Sequence, residues 1–304
     1  MRILFIVNPI SGRGAGERAI PLIQNFIDQN RLTGSLIVTQ FAGHAIEIAS
    51  QKAKDFDIIV ATGGDGTSNE VLNGLMQAKS QGLPPPALGV LSVGRGNDFA
   101  FGIGVPKGLN KGFDVLLNHQ LKSIDIGLIQ GGDYPQGRFF GNGVGIGFDA
   151  VVGFVAARSR LTGFLSYIVA AIKTAFIYFT APLLELQFDH KAQTVTALMV
   201  SVMNGRRMGG GFMMAPHSLN NDGLFDVCIA KEVPKAQIFA LIPHFIRGTQ
   251  LSQKSVYLEQ TKTLQVTAIE GSLPIHADGE TICTEGKSVS IQNIPNALQV
   301  VVPK

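Results

Sequence analysis

The chain contains no tryptophan, and only two of its 304 residues are cysteine, Cys228 and Cys283. Two cysteines fit neither a metal spacing nor a disulfide framework, so free thiols in a reducing cytosol are expected. Charge is also scarce. Only 15% of residues are charged, and the formal net charge is +3. Such a balance lacks the strong basic field of a nucleic-acid binder, and no nucleic-acid partner is expected. Paired basic residues occur at Arg158/Arg160 and Arg206/Arg207, with the rest scattered. No 18-residue stretch is free of charged or polar breaks, which excludes a transmembrane helix. The nearest approach is LTGFLSYIVAAIKTAFIYF, residues 161–179. The opening MRILFIVNP is too short an apolar run for a signal peptide and reads as a buried strand. Long-period repeats and low-complexity tracts are absent.

Glycine, by contrast, is abundant, with 36 residues, and it concentrates at the ends of apolar runs. Over residues 1–125 such runs alternate with helical patterns. ILFIV precedes a helix around Arg18–Gln29, SLIVTQ precedes GHAIEIASQKA, DIIVAT precedes SNEVLNGLMQA, and ALGVLSV precedes NDFAFGI. Strands that are apolar at nearly every position are buried on both faces, as in a parallel sheet covered by helices. Each run ends in a polar, glycine-containing turn: NPISGRGAG (8–16), TQFAGH (39–44), TGGDGT (62–67) and SVGRGND (92–98). Ligands bind at the carboxyl ends of the strands in such sheets, so the four turns together predict a site.

TGGDGT has its own chemistry. Glycine lets backbone N–H groups approach a ligand closely, and a helix N-terminus adds partial positive charge that favours phosphate. Thr67 and Glu70 have capping-box spacing, which predicts a helix start there. Asp65 is an anion in a phosphate cradle and needs a counter-charge. Mg2+ supplies one by bridging carboxylates and phosphates. The alternative is a plain strand-to-helix turn. No Walker-type lysine follows any of the turns, and SGRGAGER is not G-x-G-x-x-G, so the usual dinucleotide fingerprint is missing.

Taken in order along the chain, NPISGRG (8–14), GGDGTSNEVLNG (63–74), GRGNDFA (94–100), MNGRRMGGGFMMAP (203–216), NDGLFDV (221–227) and ADGE (277–280) resemble the diacylglycerol kinase catalytic family. These are soluble lipid kinases related to ceramide and sphingosine kinases, within the superfamily of phosphofructokinase and NAD kinase. The resemblance implies an α/β, Rossmann-like nucleotide domain over residues 1–125. It also implies an antiparallel β-sandwich over 126–291, with about 292–304 returning to the first domain. The nucleotide is expected between them. Strand-like runs after Ile124, among them IDIGLIQ, LLELQF, TVTALMVSVM and SVSIQN, agree with an antiparallel second domain. GGDYPQG (131–137) and DHKA (189–192) look like hairpin loops.

The resemblance also implies residue roles. Asn8, Ser11, Gly12 and Arg13 line the nucleotide loop, and the Arg13 guanidinium can meet phosphate oxygens. Thr39 belongs to the next turn. His44 is a helix-start residue rather than a catalyst. Gly63, Gly64, Asp65, Gly66 and Thr67 form the phosphate turn. Asp65, Asn97 with Asp98, and Asp125 match successive positions of the ATP and Mg2+ site, although Asp98 could equally be an N-cap and Asp125 a strand-edge residue. Arg95 stands where much of the family has a small residue; a long cation there could grip phosphate or crowd the lipid hydroxyl, and contact with the nucleotide phosphates is the expectation. Asp278 is the expected general base, with Glu280 assisting through Mg2+ or by orienting it; on spacing alone ADGE is a hairpin turn. SLNNDGLFDV (218–227) resembles a structural metal loop, in which Asp222 and the carbonyls of Leu219 and Leu224 would hold a second Mg2+ or Ca2+. The competing reading there is an Asn-Asp-Gly turn.

Leu161, Phe164, Leu165, Ile168, Val169, Ile172, Phe176 and Phe179 recur at helical spacing, flanked or interrupted by Arg158, Arg160 and Lys173. They predict a core helix, a surface that docks on a bilayer, or both on different faces. The combined expectation is an ATP- and Mg2+-dependent kinase of a lipid hydroxyl, such as that of diacylglycerol. It would be cytoplasmic and peripherally membrane-associated, and a homodimer is left open. An NAD kinase-like enzyme and a non-catalytic nucleotide- or lipid-binding regulator are the rival readings.

Overall fold

The computed structural model describes residues 1–157, 164–177 and 181–304. Arg158, Arg160, Leu161 and Phe179 of the amphipathic segment lie outside the described residues. The chain forms two compact units, Met1–Ile124 with Asn296–Lys304, and Asp125–Pro295.

The first unit contains β1 (Arg2–Val7), α1 (Ser11–Gln29), β2 (Thr33–Val38), α2 (His44–Lys52), β3 (Ile58–Gly63), α3 (Asp65–Ser80), β4 (Ala87–Ser92), α4 (Asp98–Gly102) and α5 (Leu109–Leu117). The strands run parallel in the order β2-β1-β3-β4. Every residue of β3 and β4 is buried, as continuous apolar composition requires of a sheet covered on both faces. Phe5, Ile23, Val60 and Leu91 share one core, in which Phe26 stacks on Phe113 at 4.3 Å between ring centroids. Full burial of a side chain of this size contributes about 1.5–3 kcal/mol.

The predicted capping box is corrected. α3 begins at Asp65, and no side chain caps its first turn. Thr67 is buried and accepts a hydrogen bond from Asn8 Nδ2 (3.1 Å), so its hydroxyl ties β1 to α3. Glu70 turns to the neighbouring helix, where its two carboxylate oxygens accept the N–H groups of Gly43 (2.9 Å) and Ala45 (3.2 Å) at the start of α2. A carboxylate there satisfies N–H groups that have no partner within the helix.

The second unit continues with β5 (His119–Gly131), which enters it at Asp125, then β6 (Tyr134–Phe140), β7 (Gly143–Gly147), α6 (Phe148–Ala157), α7 (Phe164–Ile177), β8 (Leu183–Phe188), β9 (Ala192–Met203) and β10 (Phe225–Lys231). It ends with α8 (Lys235–Arg247), β11 (Val256–Thr261), β12 (Thr263–Ala268), β13 (Leu273–Ala277), β14 (Glu280–Gly286) and β15 (Ser288–Pro303). The end of β15 belongs to the first unit, where Val300 pairs in parallel with Leu88 of β4.

β14-β13-β7-β9-β10-β11 form one antiparallel sheet. The first half of β9 joins a second sheet, β9-β8-β12-β15-β5-β6. The two inner faces make a β-sandwich core. On β10, Phe225, Val227 and Ile229 point into it, while Cys228 and Ala230 point outward to a second apolar cluster. That alternation follows from the two-residue period of a strand. The outer cluster is covered by α6, α7 and α8. The sequence reading passes over α8, although Ile238, Leu241 and Phe245 are buried at spacings of three and four.

α7 is inverted in size. Ser166, Ala170, Ala171, Thr174 and Ala175 are buried, whereas Leu165 (57% exposed), Ile172 (40%) and Phe176 (67%) face outward. Small residues bring the helix close to the sheet and leave its bulk on the surface. Among the described residues no helix is long and apolar enough to cross a membrane.

Candidate active site

The strand-end turns of the first unit are built on missing side chains. α1 opens with Gly12, Arg13 and Gly14 in left-handed conformation (φ 58°, 57° and 81°). A Cβ at Gly12 would lie 1.9 Å from the Val93 carbonyl oxygen, so only glycine lets this loop close on the turn after β4. A Cβ at Gly94 would lie 2.3 Å from the Gly64 Cα. The turns after β1, β3 and β4 therefore pack backbone to backbone. Ser11 Oγ lies 3.5 Å from Thr67 Oγ1, and the Thr39 N–H donates to the Val7 carbonyl (2.9 Å). Asn8, Ser11, Gly12, Arg13, Thr39 and residues 63–67 thus gather at one edge of the parallel sheet. Arg13 is exposed, and Arg95 is partly exposed between Gly94 and Gly96.

Asp65 and Asp98 converge on Gly96. A Cβ there would lie 2.8 Å from Asp65 Oδ2 and 3.3 Å from Asp98 Oδ2. Asp65 Oδ1 accepts the Phe99 N–H (3.1 Å) in the first turn of α4. Asn97 takes a left-handed conformation (φ 54°), and its side chain closes the loop by hydrogen bonds with the Gly94 N–H and carbonyl. The alternative role for Asp98 is not what is seen, because the N-cap position of α4 is Asn97. Asp65 and Asp98 present two carboxylates beside a glycine-lined cradle that a Cβ would fill. Such a donor set suits a hard divalent cation held together with phosphate oxygens.

Asp125 opens the second unit and is wholly buried, so it is not an exposed strand-edge residue. Its N–H donates to the Asn220 carbonyl (2.7 Å), and its Oδ2 accepts the Gly223 N–H (2.6 Å). It therefore fastens the 218–227 loop. Asp222, in the same loop, is exposed and accepts the Leu224 N–H through its own side chain (3.0 Å), the geometry of an Asx turn. Leu219 is exposed. No group of three or more His, Cys, Asp or Glu side chains suited to a metal occurs among the described residues.

Asp278 and Gly279 make the two-residue turn between β13 and β14, both at positive φ (48° and 88°), as a type I′ hairpin requires. The turn does more than reverse the chain. The buried Asp278 carboxylate accepts the N–H groups of Gly141 (2.7 Å), Asn142 (3.0 Å) and Gly143 (2.9 Å), and its own N–H donates to the Gly143 carbonyl (3.0 Å). Glu280 opens β14 and is partly exposed.

Three polar residues escaped the sequence reading: Asp149, Ser201 and His276. They occupy the outer face of the sheet, where the register places His276, Gly145, Ser201 and Cys228 in one row across β13, β7, β9 and β10. Asp149 reaches this row from the first turn of α6 and accepts the Ser201 hydroxyl (2.8 Å). Burial, and secondarily the Asp149 charge, push the Cys228 thiol up to about 12, so it stays protonated and is no nucleophile. Asp149 also lines an open apolar cleft together with Val152 of α6, Ala171 of α7 and Ile238, Leu241 and Phe245 of α8. A charged residue at the head of an apolar run, in GFDAVV, and a lone histidine in the strand LPIHA were the available signals.

An α/β unit with glycine-built strand-end turns, followed along the chain by a helix-covered β-sandwich carrying a buried Asp-Gly turn, is the architecture these observations define. Residues 2–129 match the diacylglycerol kinase catalytic domain, and residues 142–302 match the YegS C-terminal NAD kinase beta sandwich-like domain. The chain belongs to the diacylglycerol kinase catalytic family, a family of lipid kinases. It is 29% identical over 294 residues to a Bacillus subtilis diacylglycerol kinase, covering 92% of this chain and 89% of that one. A Mycobacterium tuberculosis diacylglycerol kinase is 29% identical over 310 residues, covering 100% and 96%. A solved diacylglycerol kinase structure from Bacillus anthracis superposes with a TM-score of 0.74 at 19% identity, covering 98% and 96%, which speaks for the fold.

Proposed function

We propose that the protein transfers the γ-phosphoryl group of ATP to the hydroxyl of a membrane lipid such as diacylglycerol. The observation that carries this reading is the convergence of Asp65 and Asp98 on Gly96 within glycine-built turns at one sheet edge. Asp65 and Asp98 would hold Mg2+, and backbone N–H groups of Gly12, Gly63, Gly64 and Gly66 would approach the phosphates. Asn8, Ser11, Thr39, Thr67 and Asn97 shape the same edge. Arg13 and Arg95 supply positive charge for phosphate oxygens, and a higher ATP KM in Arg95→Thr is the outcome that this role requires. When bound, Mg2+ neutralises charge on the phosphate oxygens as the phosphoryl group leaves.

Asp278 accepts the proton of the lipid hydroxyl. A bond forms between the lipid oxygen and the γ-phosphorus, and the bond from that phosphorus to the β–γ bridging oxygen breaks, releasing ADP. Three N–H donors fix the position of the Asp278 carboxylate. Glu280, next to the turn, orients it. Asp125 fastens the 218–227 loop, in which Asp222 and the carbonyls of Leu219 and Leu224 would hold a structural Mg2+ or Ca2+. The outward Leu165, Ile172 and Phe176 of α7, with Lys173 beside them, rest on the cytoplasmic bilayer surface, where anionic lipid attracts a cation by about 1 kcal/mol.

The test is phosphoryl transfer from labelled ATP with Mg2+ to diacylglycerol in vesicles. Label should enter the organic phase with the wild type and stay out of it with Asp278→Asn. Label on aqueous NAD, or ATP binding without any transfer, overturns the reading in favour of an NAD kinase or a regulator respectively.

A further inference from the structure

The turn after β2 carries an aromatic pair that the core does not use. Phe41 is 54% exposed, and its ring stacks on the His44 imidazole with centroids 4.6 Å apart and planes 14° from parallel. A lone exposed apolar side chain is ordinary. This one is held as a platform. The His44 N–H donates to the Phe41 carbonyl (3.2 Å), and the Gln40 N–H donates to His44 Nδ1 (3.1 Å), which sets the plane of the imidazole behind the ring. The turn is tied to β1 through the Thr39 N–H on the Val7 carbonyl (2.9 Å). It is tied to α3 through Glu70, which accepts the Gly43 and Ala45 N–H groups. Those same two elements carry phosphate turns, since β1 leads into Asn8 and Ser11 and α3 opens at Asp65.

The platform stands at the strand-end edge of the first unit. β2 neighbours β1, and β1 neighbours β3, so the turn after β2 lies two strand spacings, about 10 Å, from the turn that carries Asp65. On the far side of β3, the turn after β4 is occupied by Arg95, Asn97 and Asp98. The edge is thus charged towards β4 and aromatic towards β2. A nucleotide divides in the same way, with phosphates at one end and a flat base at the other. Stacking on an aromatic side chain asks of a base only its π-face, and offset parallel rings are a favoured geometry.

We infer that the Phe41 ring receives the base of the nucleotide donor by stacking, on its face away from His44, and that His44 is the residue that positions it. In the proposed site the glycine turns, Asp65 and Asp98 serve the phosphates, which a bare polyphosphate also offers. Phe41 is the residue that tells a nucleotide from a polyphosphate. The inference rests on the reading of the strand-end turns as a nucleotide site, and it adds to that site a contact with neither the phosphates nor the lipid.

The absence of tryptophan supplies the test. Phe41→Trp places a single indole at the platform, and its emission should be quenched by ATP with Mg2+ but not by tripolyphosphate with Mg2+. Titration calorimetry gives an independent reading. Phe41→Ala should weaken ATP about tenfold and leave tripolyphosphate unchanged, while Phe41→Tyr keeps the wild-type affinity for ATP. Emission of the Phe41→Trp variant that stays constant at saturating ATP overturns the inference, as do equal losses for ATP and tripolyphosphate in Phe41→Ala. Binding of neither compound by the wild type overturns it too. A response of that emission to phosphatidylglycerol vesicles in place of ATP would make the ring a membrane contact and equally overturn it. Quenching by ATP without phosphoryl transfer to lipid would remove the kinase reading alone, whereas transfer with an unchanged ATP KM in Phe41→Ala would remove this inference alone.

Discussion

The dipeptide Asp-Gly stands at both positions to which chemistry is assigned, and the two are built in opposite ways. Asp65 opens a helix among glycines. Around it Gly64, Gly94 and Gly96 have no side chains, the Asp98 carboxylate lies close by, and the Phe99 N–H donates to its Oδ1. Asp278 sits in a hairpin with backbone crowding onto it, its carboxylate taking three consecutive N–H groups of residues 141–143. The first arrangement brings two carboxylates together over glycine backbone. The second immobilises a carboxylate and uses it to fasten the start of β7. Removing the two side chains should therefore have different consequences for the fold.

Asp278→Ala is the largest expected effect. It leaves three buried N–H groups without acceptors, at about 1–3 kcal/mol for each unsatisfied group, so a loss of roughly 3 kcal/mol or more is expected in denaturant unfolding. Phosphoryl transfer should fall by about 10²–10⁴, the usual contribution of a general base. An unchanged unfolding midpoint would remove the anchoring role. Asp65→Ala should show the converse. It loses an acceptor at the first turn of α4, worth about 1 kcal/mol, yet activity should drop by about a hundredfold or more. If the two variants were destabilised equally, the contrast would be lost. Gly96→Ala sharpens it further. The new Cβ meets both carboxylates, so the Mg2+ concentration giving half-maximal activity should rise about tenfold with the melting temperature nearly kept. A variant with unaltered Mg2+ dependence would show that the convergence at Gly96 is not a cation site.

The same contrast explains what was legible in the sequence. Parallel strands such as β3 and β4 announce themselves by unbroken apolar composition, and their glycine turns follow directly, so the edge carrying Asp65 and Asp98 could be drawn beforehand. The Asp278 turn was legible as a turn, but its hold on residues 141–143 was not, since it joins positions more than 130 residues apart. The hydrogen bonds that tie Asp125 to Asn220 and Gly223 were not legible either, since they join positions about a hundred residues apart. The row of His276, Ser201 and Asp149 depends on the registers of β13, β7 and β9 and on a glycine between them. No local pattern encodes that. The Thr67/Glu70 spacing is overridden by tertiary contacts, which take Thr67 to Asn8 and Glu70 to the start of α2.

A third aspartate marks the weak end of the comparison. Asp189 lies in the turn between β8 and β9, with about a third of its side chain exposed. Hydrogen bonds from His190 (2.8 Å) and then from the Thr261 hydroxyl (2.7 Å) hold its carboxyl down to about 2 from 3.8. A carboxylate with a depressed folded value stabilises the fold fully above its unfolded value. That contribution disappears as pH falls from about 4 through about 2. Solvent screens so open a site, so the effect should be small beside the loss of Asp278. Thermal melts of the wild type and Asp189→Asn should therefore differ slightly at roughly pH 6 and converge as the pH approaches 2. A difference that stays constant over that interval would mean that the Asp189 charge, unlike the buried carboxylate of Asp278, contributes nothing to holding its turn.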